Sequence, residues 1–143
     1  MFKIRKHLNN RAFTLTEILI TIVILGVIAG LATPTYFKSV EQSRVNEATV
    51  NLNAIYMAQK IYALNNSGNF WNGGANPAVA TINSTLNIDI NPQYYPVISI
   101  TAANGGNPKT FTATVMRNAL QGGDGITRYT IDQTGTITIS AIA

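Results

Sequence analysis

Glu17 is the residue whose type and place most demand a chemical reason. It stands fifth in a stretch, Phe13–Ala32, whose other members are apolar, small or hydroxyl-bearing. A carboxylate at the mouth of such a stretch is costly, about 2.5–3.5 kcal/mol if it stays charged at mid-bilayer. Its natural partner is a cation, and a nitrogen at the start of the same helix, or of a neighbouring one, would meet that need in a low-dielectric setting. Other candidate chemistry is sparse. There is no cysteine, so no disulfide, thiolate metal site or cysteine nucleophile. The one histidine, His7, lies among leader charges and reads as an ordinary solvated residue. No GxSxG, phosphate loop or metal-ligand ladder occurs, so no enzyme activity, cofactor or metal is expected. Asp124 and Asp132 flank a predicted strand, but two acids are too few to imply calcium.

The segment that carries Glu17 has three parts. Lys3, Arg5, Lys6 and Arg11 form a basic leader. The twenty residues Phe13–Ala32 would make a helix about 30 Å long, near a bilayer's hydrocarbon thickness. Gly26, Gly30 and Pro34 then weaken the helix: each glycine costs about 1 kcal/mol relative to alanine, and proline removes a hydrogen bond. The charge asymmetry puts Met1 in the cytoplasm and the C-terminal bulk outside. The leader also accounts for the net charge of +4, because the six basic residues beyond Phe13 match six acids. No basic face remains for nucleic acid. An ordinary signal peptide with a small-x-small site at Gly30-Leu31-Ala32 is the competing reading. Glu17 interrupts its apolar region, and the helical pattern continues past Pro34.

Ala12-Phe13-Thr14-Leu15-Thr16-Glu17 resembles the processing site of type IV prepilins and the related pseudopilins. Gly26, Gly30, Pro34 and Tyr36 fall where that family commonly has small residues, proline and tyrosine. The resemblance is strong over roughly residues 11–37. It implies that a prepilin peptidase cuts between Ala12 and Phe13 and methylates the new amine of Phe13. Ala12 stands where the family usually has glycine, the mildest departure available. The resemblance further implies a homo-oligomeric filament in which Glu17 meets the Phe13 amine of a neighbour, acting as a key for axial register. Gly26, Gly30 and Pro34 would let the helix lose regularity during packing. The implied partners are the inner membrane, the peptidase/methyltransferase, an assembly ATPase with its platform protein and, where there is an outer membrane, a secretin. Among outputs, a pilus subunit is favoured over a pseudopilin of type II secretion or DNA uptake, since no acidic, tryptophan-containing calcium loop appears. An exported soluble binding module is the reading from another class. Tyr36 and Phe37 are stem aromatics; ring packing explains them more simply than the electron conduction proposed for some relatives.

The resulting expectation is an α+β chain divided as leader 1–12, stem 13–34, amphipathic helix 35–66, connector 67–96 and an antiparallel sheet of about four strands over 97–143. Beyond Pro34 the helix carries two stripes at three- and four-residue spacing. Val45, Ala48, Leu52, Ile55, Gln59 and Tyr62 form one, suited to the chain's own sheet. Val50, Ala54, Met57, Ile61 and Leu64 form the other, suited to neighbours in an assembly. Lys38, Glu41, Arg44 and Glu47 read as a solvated, salt-bridged strip of alternating charge, with pairing across subunits as the alternative, and Asn65–Gly68 as a helix stop. In the connector, 79–82 and 86–90 suggest short strand or turn, and Trp71 an anchor for the loop rather than a sugar platform. Strands are predicted over 97–101, 110–116, 126–131 and 135–142, with turns at 104–107, 122–125 and 133–135.

Overall fold

The computed structural model describes residues 13–117 and 127–141. The leader with Ala12, the turn at 122–125 with Asp124, and the ends of the third and fourth predicted strands lie outside them. The chain divides into two units, residues 1–40 and 41–143. Helix α1, Leu15–Asn65, contributes to both.

In the first unit α1 is apolar around its whole circumference. Its large side chains from Ile18 to Leu31 are 50–74% exposed. The best 18-residue window has a mean hydropathy of 2.4, and the helix is long and apolar enough to cross a membrane. Hydroxyls inside this stretch are satisfied locally. Thr21 donates to the Glu17 carbonyl at 2.7 Å and Thr33 to the Ala29 carbonyl at 2.6 Å. That is how threonine is accommodated where no water is available.

The second unit is built on the other half of α1, which ends with Ser67 and Gly68 at positive φ and the Gly68 N–H closing on the Ala63 carbonyl at 2.8 Å. This is the left-handed stop that Asn65–Gly68 predicts. One stripe is buried: Ala48, Leu52, Ile55, Ala58 and Ala63, with fully buried Gln59 among them. It packs on an antiparallel meander ordered β1-β2-β3-β4-β5: β1 Gly74–Ala75, β2 Val97–Ala103, β3 Thr110–Met116, β4 Thr127–Asp132 and β5 Ile137–Ala141. Side chains alternate across the strands. Ile98, Ile100, Phe111, Ala113, Val115, Tyr129 and Ile131 face the core. The other face is hydroxyl-rich: Ser99, Thr114, Thr130 and Thr138 stand in one cross-strand row, and the Thr114 and Thr130 hydroxyls lie 3.2 Å apart. Tyr95 meets Tyr129 edge-on, with centroids 5.3 Å apart. Burial, reinforced by the bond to Tyr129, pushes the Tyr95 phenol well above its ordinary pKa.

One expectation needs correction. Residues 79–82, expected as short strand or turn, lie in helix α2, Val79–Leu86, which buries Ile82 and Leu86, while 86–90 holds a turn at Asn87. Val79, Thr81, Ile82 and Thr85 are β-branched and favour strand locally. Burial of the 79/82/86 face outweighs that preference, and Asn87, left-handed at φ 52° and ψ 50°, ends the helix. The sheet also gains a fifth strand, because β1 pairs with β2 through Gly74↔Ile100 and Ala75↔Ser99.

Candidate functional site

The described part of the stem begins at Phe13, which is 78% exposed. Thr14 and Glu17 form a reciprocal cap on the first turn of α1. The Glu17 carboxylate accepts from the Thr14 N–H and from its hydroxyl, each at 3.4 Å, and the Glu17 N–H donates to Thr14 Oγ1 at 3.2 Å. The first turn of a helix has N–H groups without intrahelical partners, and T-x-x-E supplies one at each end. The bonds to the carboxylate are long. Glu17 therefore holds a local partner that a nearby amine, carrying full charge, would readily displace. Sequence reasoning placed Glu17 but missed Thr14, although the T-x-x-E spacing was there to be read.

Further along the stem, Gly26 and Gly30 share a face, and a Cβ at either would meet nothing within 4 Å. Nothing among the described residues therefore requires glycine at these positions. Helix α1 runs on through Pro34. With no N–H at Pro34, the Gly30 carbonyl lacks its usual helix partner, so the hydrogen-bond ladder is interrupted there. Tyr36 and Phe37 are both exposed, with ring centroids 6.1 Å apart at 67°.

In the second unit the other stripe of α1 stays open. Val50, Met57, Ile61 and Leu64 are 60–85% exposed, with Ala54 half-buried between them. The charged strip holds the expected salt bridge, and Glu47 does more than expected: it accepts the Gln93 and Tyr94 N–H groups at 2.6 and 3.0 Å and ties the connector to α1. Glu41 pairs with Arg44 at 3.3 Å and with Arg117, just past β3, at 3.0 Å. The Arg44 guanidinium lies 4.9 Å from the centre of the Tyr94 ring.

Three side-chain amides clamp the connector, each bonding both polar groups of one backbone residue. Gln59 receives the Trp71 N–H and donates to the Trp71 carbonyl, both at 2.9 Å. Asn104 does the same for Phe70 at 2.9 Å, and Asn83 for Ile90 at 3.0–3.1 Å. Trp71 is thus an anchor, held by its backbone. At the β4–β5 turn, Asp132 accepts from the Thr134 hydroxyl and N–H and, at 3.3 Å, from the Thr136 N–H. The bond from the Thr134 hydroxyl is the main reason its pKa falls below the ordinary value. No group of metal-ligating side chains occurs among the described residues.

Residues 7–33 match the family model of the prokaryotic N-terminal methylation motif. Over 54 residues the chain is 43% identical to the type IV major pilin protein PilA of Myxococcus xanthus, covering 38% of this chain and 24% of that protein. Over 54 residues it is 39% identical to the type II secretion system core protein G of Pseudomonas aeruginosa, covering 38% of each. The chain thus spans well under half the length of these curated relatives. No solved structure matches it. A stretch of 54 residues is therefore similar to a pilin and to a secretion-system core protein, and residues 7–33, which include Glu17, match the prokaryotic N-terminal methylation motif.

Proposed function

We propose that this chain is a structural subunit of a type IV pilus or pilus-like filament, stored in the inner membrane as a precursor. The observation that carries the reading is a single carboxylate, fifth in the apolar stretch that begins at Phe13, on a helix exposed and apolar on every side and lying within the methylation motif. A helix of that kind is at home in a bilayer or among other helices. A prepilin peptidase cuts between Ala12 and Phe13, removes the four leader charges and methylates the Phe13 amine. Glu17 then exchanges its local partners on Thr14 for the amine of a neighbour. A subunit in the wrong register leaves two charges unpaired, which is strongly penalised in a dry interface. Gly26 and Gly30 allow close approach of neighbouring stems, and residues 26–34 loosen where stems pack. The exposed stripe Val50–Leu64 supplies a second apolar contact. Assembly draws on an ATPase with its platform protein and, where an outer membrane exists, a secretin. The precursor's N-terminus is cytoplasmic and the second unit lies outside.

The intact mass of membrane-extracted protein tests this reading. A chain beginning at Phe13 with one extra methyl group supports it. A start at Thr33 indicates an ordinary signal peptide, and an uncut Met1 a plain anchor. The likeness to core protein G favours one second reading, a pseudopilin of type II secretion or DNA uptake. Long sheared filaments containing this chain distinguish the pilus from a short periplasmic assembly.

A further inference from the structure

We infer that the cleft between the C-terminal end of α1, the start of the connector and the β2–β3 turn is a binding site for a neutral saccharide. This goes beyond filament assembly and does not depend on it. The cleft has a volume of about 570 Å³, within the roughly 300–1,000 Å³ of small-molecule sites.

Its lining has the chemistry such a ligand needs. Tyr62 and Trp71, both half-buried, are among its lining residues, and an aromatic ring is the kind of surface that packs on the apolar face of a sugar. Asn65, Asn69 and Asn72 supply amides, each both donor and acceptor, for paired hydroxyls. No charged side chain lines the cleft. Lys109 sits nearby, with its ammonium held on the Ser67 carbonyl at 2.9 Å. Among the described residues, the amides of Asn65 and Asn69 have no hydrogen-bond partner. Asn72 uses only its oxygen, which accepts the Gly74 N–H at 3.3 Å.

The walls are fixed in advance. The Gln59 and Asn104 amides clamp the backbones of Trp71 and Phe70 with four bonds of 2.9 Å. The edge of the Trp71 ring rests over Gly73, where a Cβ would lie only 2.8 Å from it, with Pro77 beside it. Small ligands lose affinity when a loop must be ordered on binding, and a clamped loop avoids that cost. The anchoring of Trp71 and its part in the cleft are therefore two aspects of one arrangement.

Trp71 is the chain's single tryptophan, so its fluorescence reports on this cleft alone. The test titrates the full-length protein, in a phosphocholine detergent free of sugar headgroups, with maltotetraose, cellotetraose, chitotetraose and lactose. At least one should give a saturable change in emission. Asn69→Ala, which removes no hydrogen bond of the free protein, should weaken that binding about fivefold. Gly73→Ala should abolish it by displacing the ring. Thr138→Ala, on the far face of the sheet, should leave it unchanged. A saturable response to none of the four sugars overturns the inference. So does a response only to tetragalacturonate or to a neutral peptide, or a sugar response that Asn69→Ala leaves intact. Because the unassembled protein is read, failure here leaves the filament reading untouched, and failure to assemble leaves this one.

Discussion

The two halves of α1 obey opposite rules. From Ile18 to Leu31 every large apolar side chain faces outward, and the polar groups are satisfied within the helix itself. From Ala48 to Ala63 one stripe is sealed against the sheet while another remains open. The first half gains almost nothing from its own chain and depends on a bilayer or on neighbours. The second half is stabilised by its own core and keeps one face for company. One helix can thus be membrane-stored along part of its length and independently folded along the rest.

Substitutions that touch one half and spare the other test this division. The largest effect expected is on assembly. Glu17→Gln should cut filament yield at least tenfold, because the neighbour's amine is left without its counter-charge. The thermal midpoint of the second unit, followed by near-ultraviolet circular dichroism, should not move. Normal fibres with Glu17→Gln would end the register argument. In the other half, Leu52→Ala opens a fully buried site and should destabilise the second unit by about 3 kcal/mol in denaturant titration. Helicity of the stem should be unaffected. A smaller loss, about 2 kcal/mol, is expected from Gln59→Leu, which keeps the volume but strands the Trp71 N–H and carbonyl. A neutral outcome would mean that water replaces the clamp.

The least effect should come from acid. The Asp132 pKa is depressed by its bonds to Thr134 and Thr136, so the folded state binds its proton less readily than the unfolded chain. The contribution is complete above the ordinary carboxylate value of 3.8 and disappears as pH falls through the lower folded value. Protection of the β4–β5 turn amides, taken relative to the intrinsic exchange rate at each pH, should therefore fall only below about pH 4. Asp132→Asn should remove that dependence, while protection in the stem, taken the same way, stays flat over the same range.

The stem was legible because its signals are local. A run of apolar residues, a fixed-offset acid and a basic leader can be read without knowing what touches what. The buried stripe was legible for the same reason, since its period is that of the helix. Helix α2 was not, because its β-branched residues point to strand and only contacts from elsewhere decide otherwise. The clamps were hidden more deeply. Gln59 and Asn104 look like a flaw in a stripe and a turn residue, and their partners lie 12 and 34 residues away. The partners of Glu47 were hidden for the same reason, lying 46 and 47 residues away.

The three amide clamps have a consequence for biogenesis. A connector pinned by sulfur would stay slack until an oxidising catalyst outside the cytoplasm joined it. Gln59, Asn83 and Asn104 neither change redox state nor titrate, so this connector closes in the same way in a reducing or an oxidising compartment. Folding of the second unit needs no thiol oxidase, and neither dithiothreitol nor a missing oxidase should loosen it.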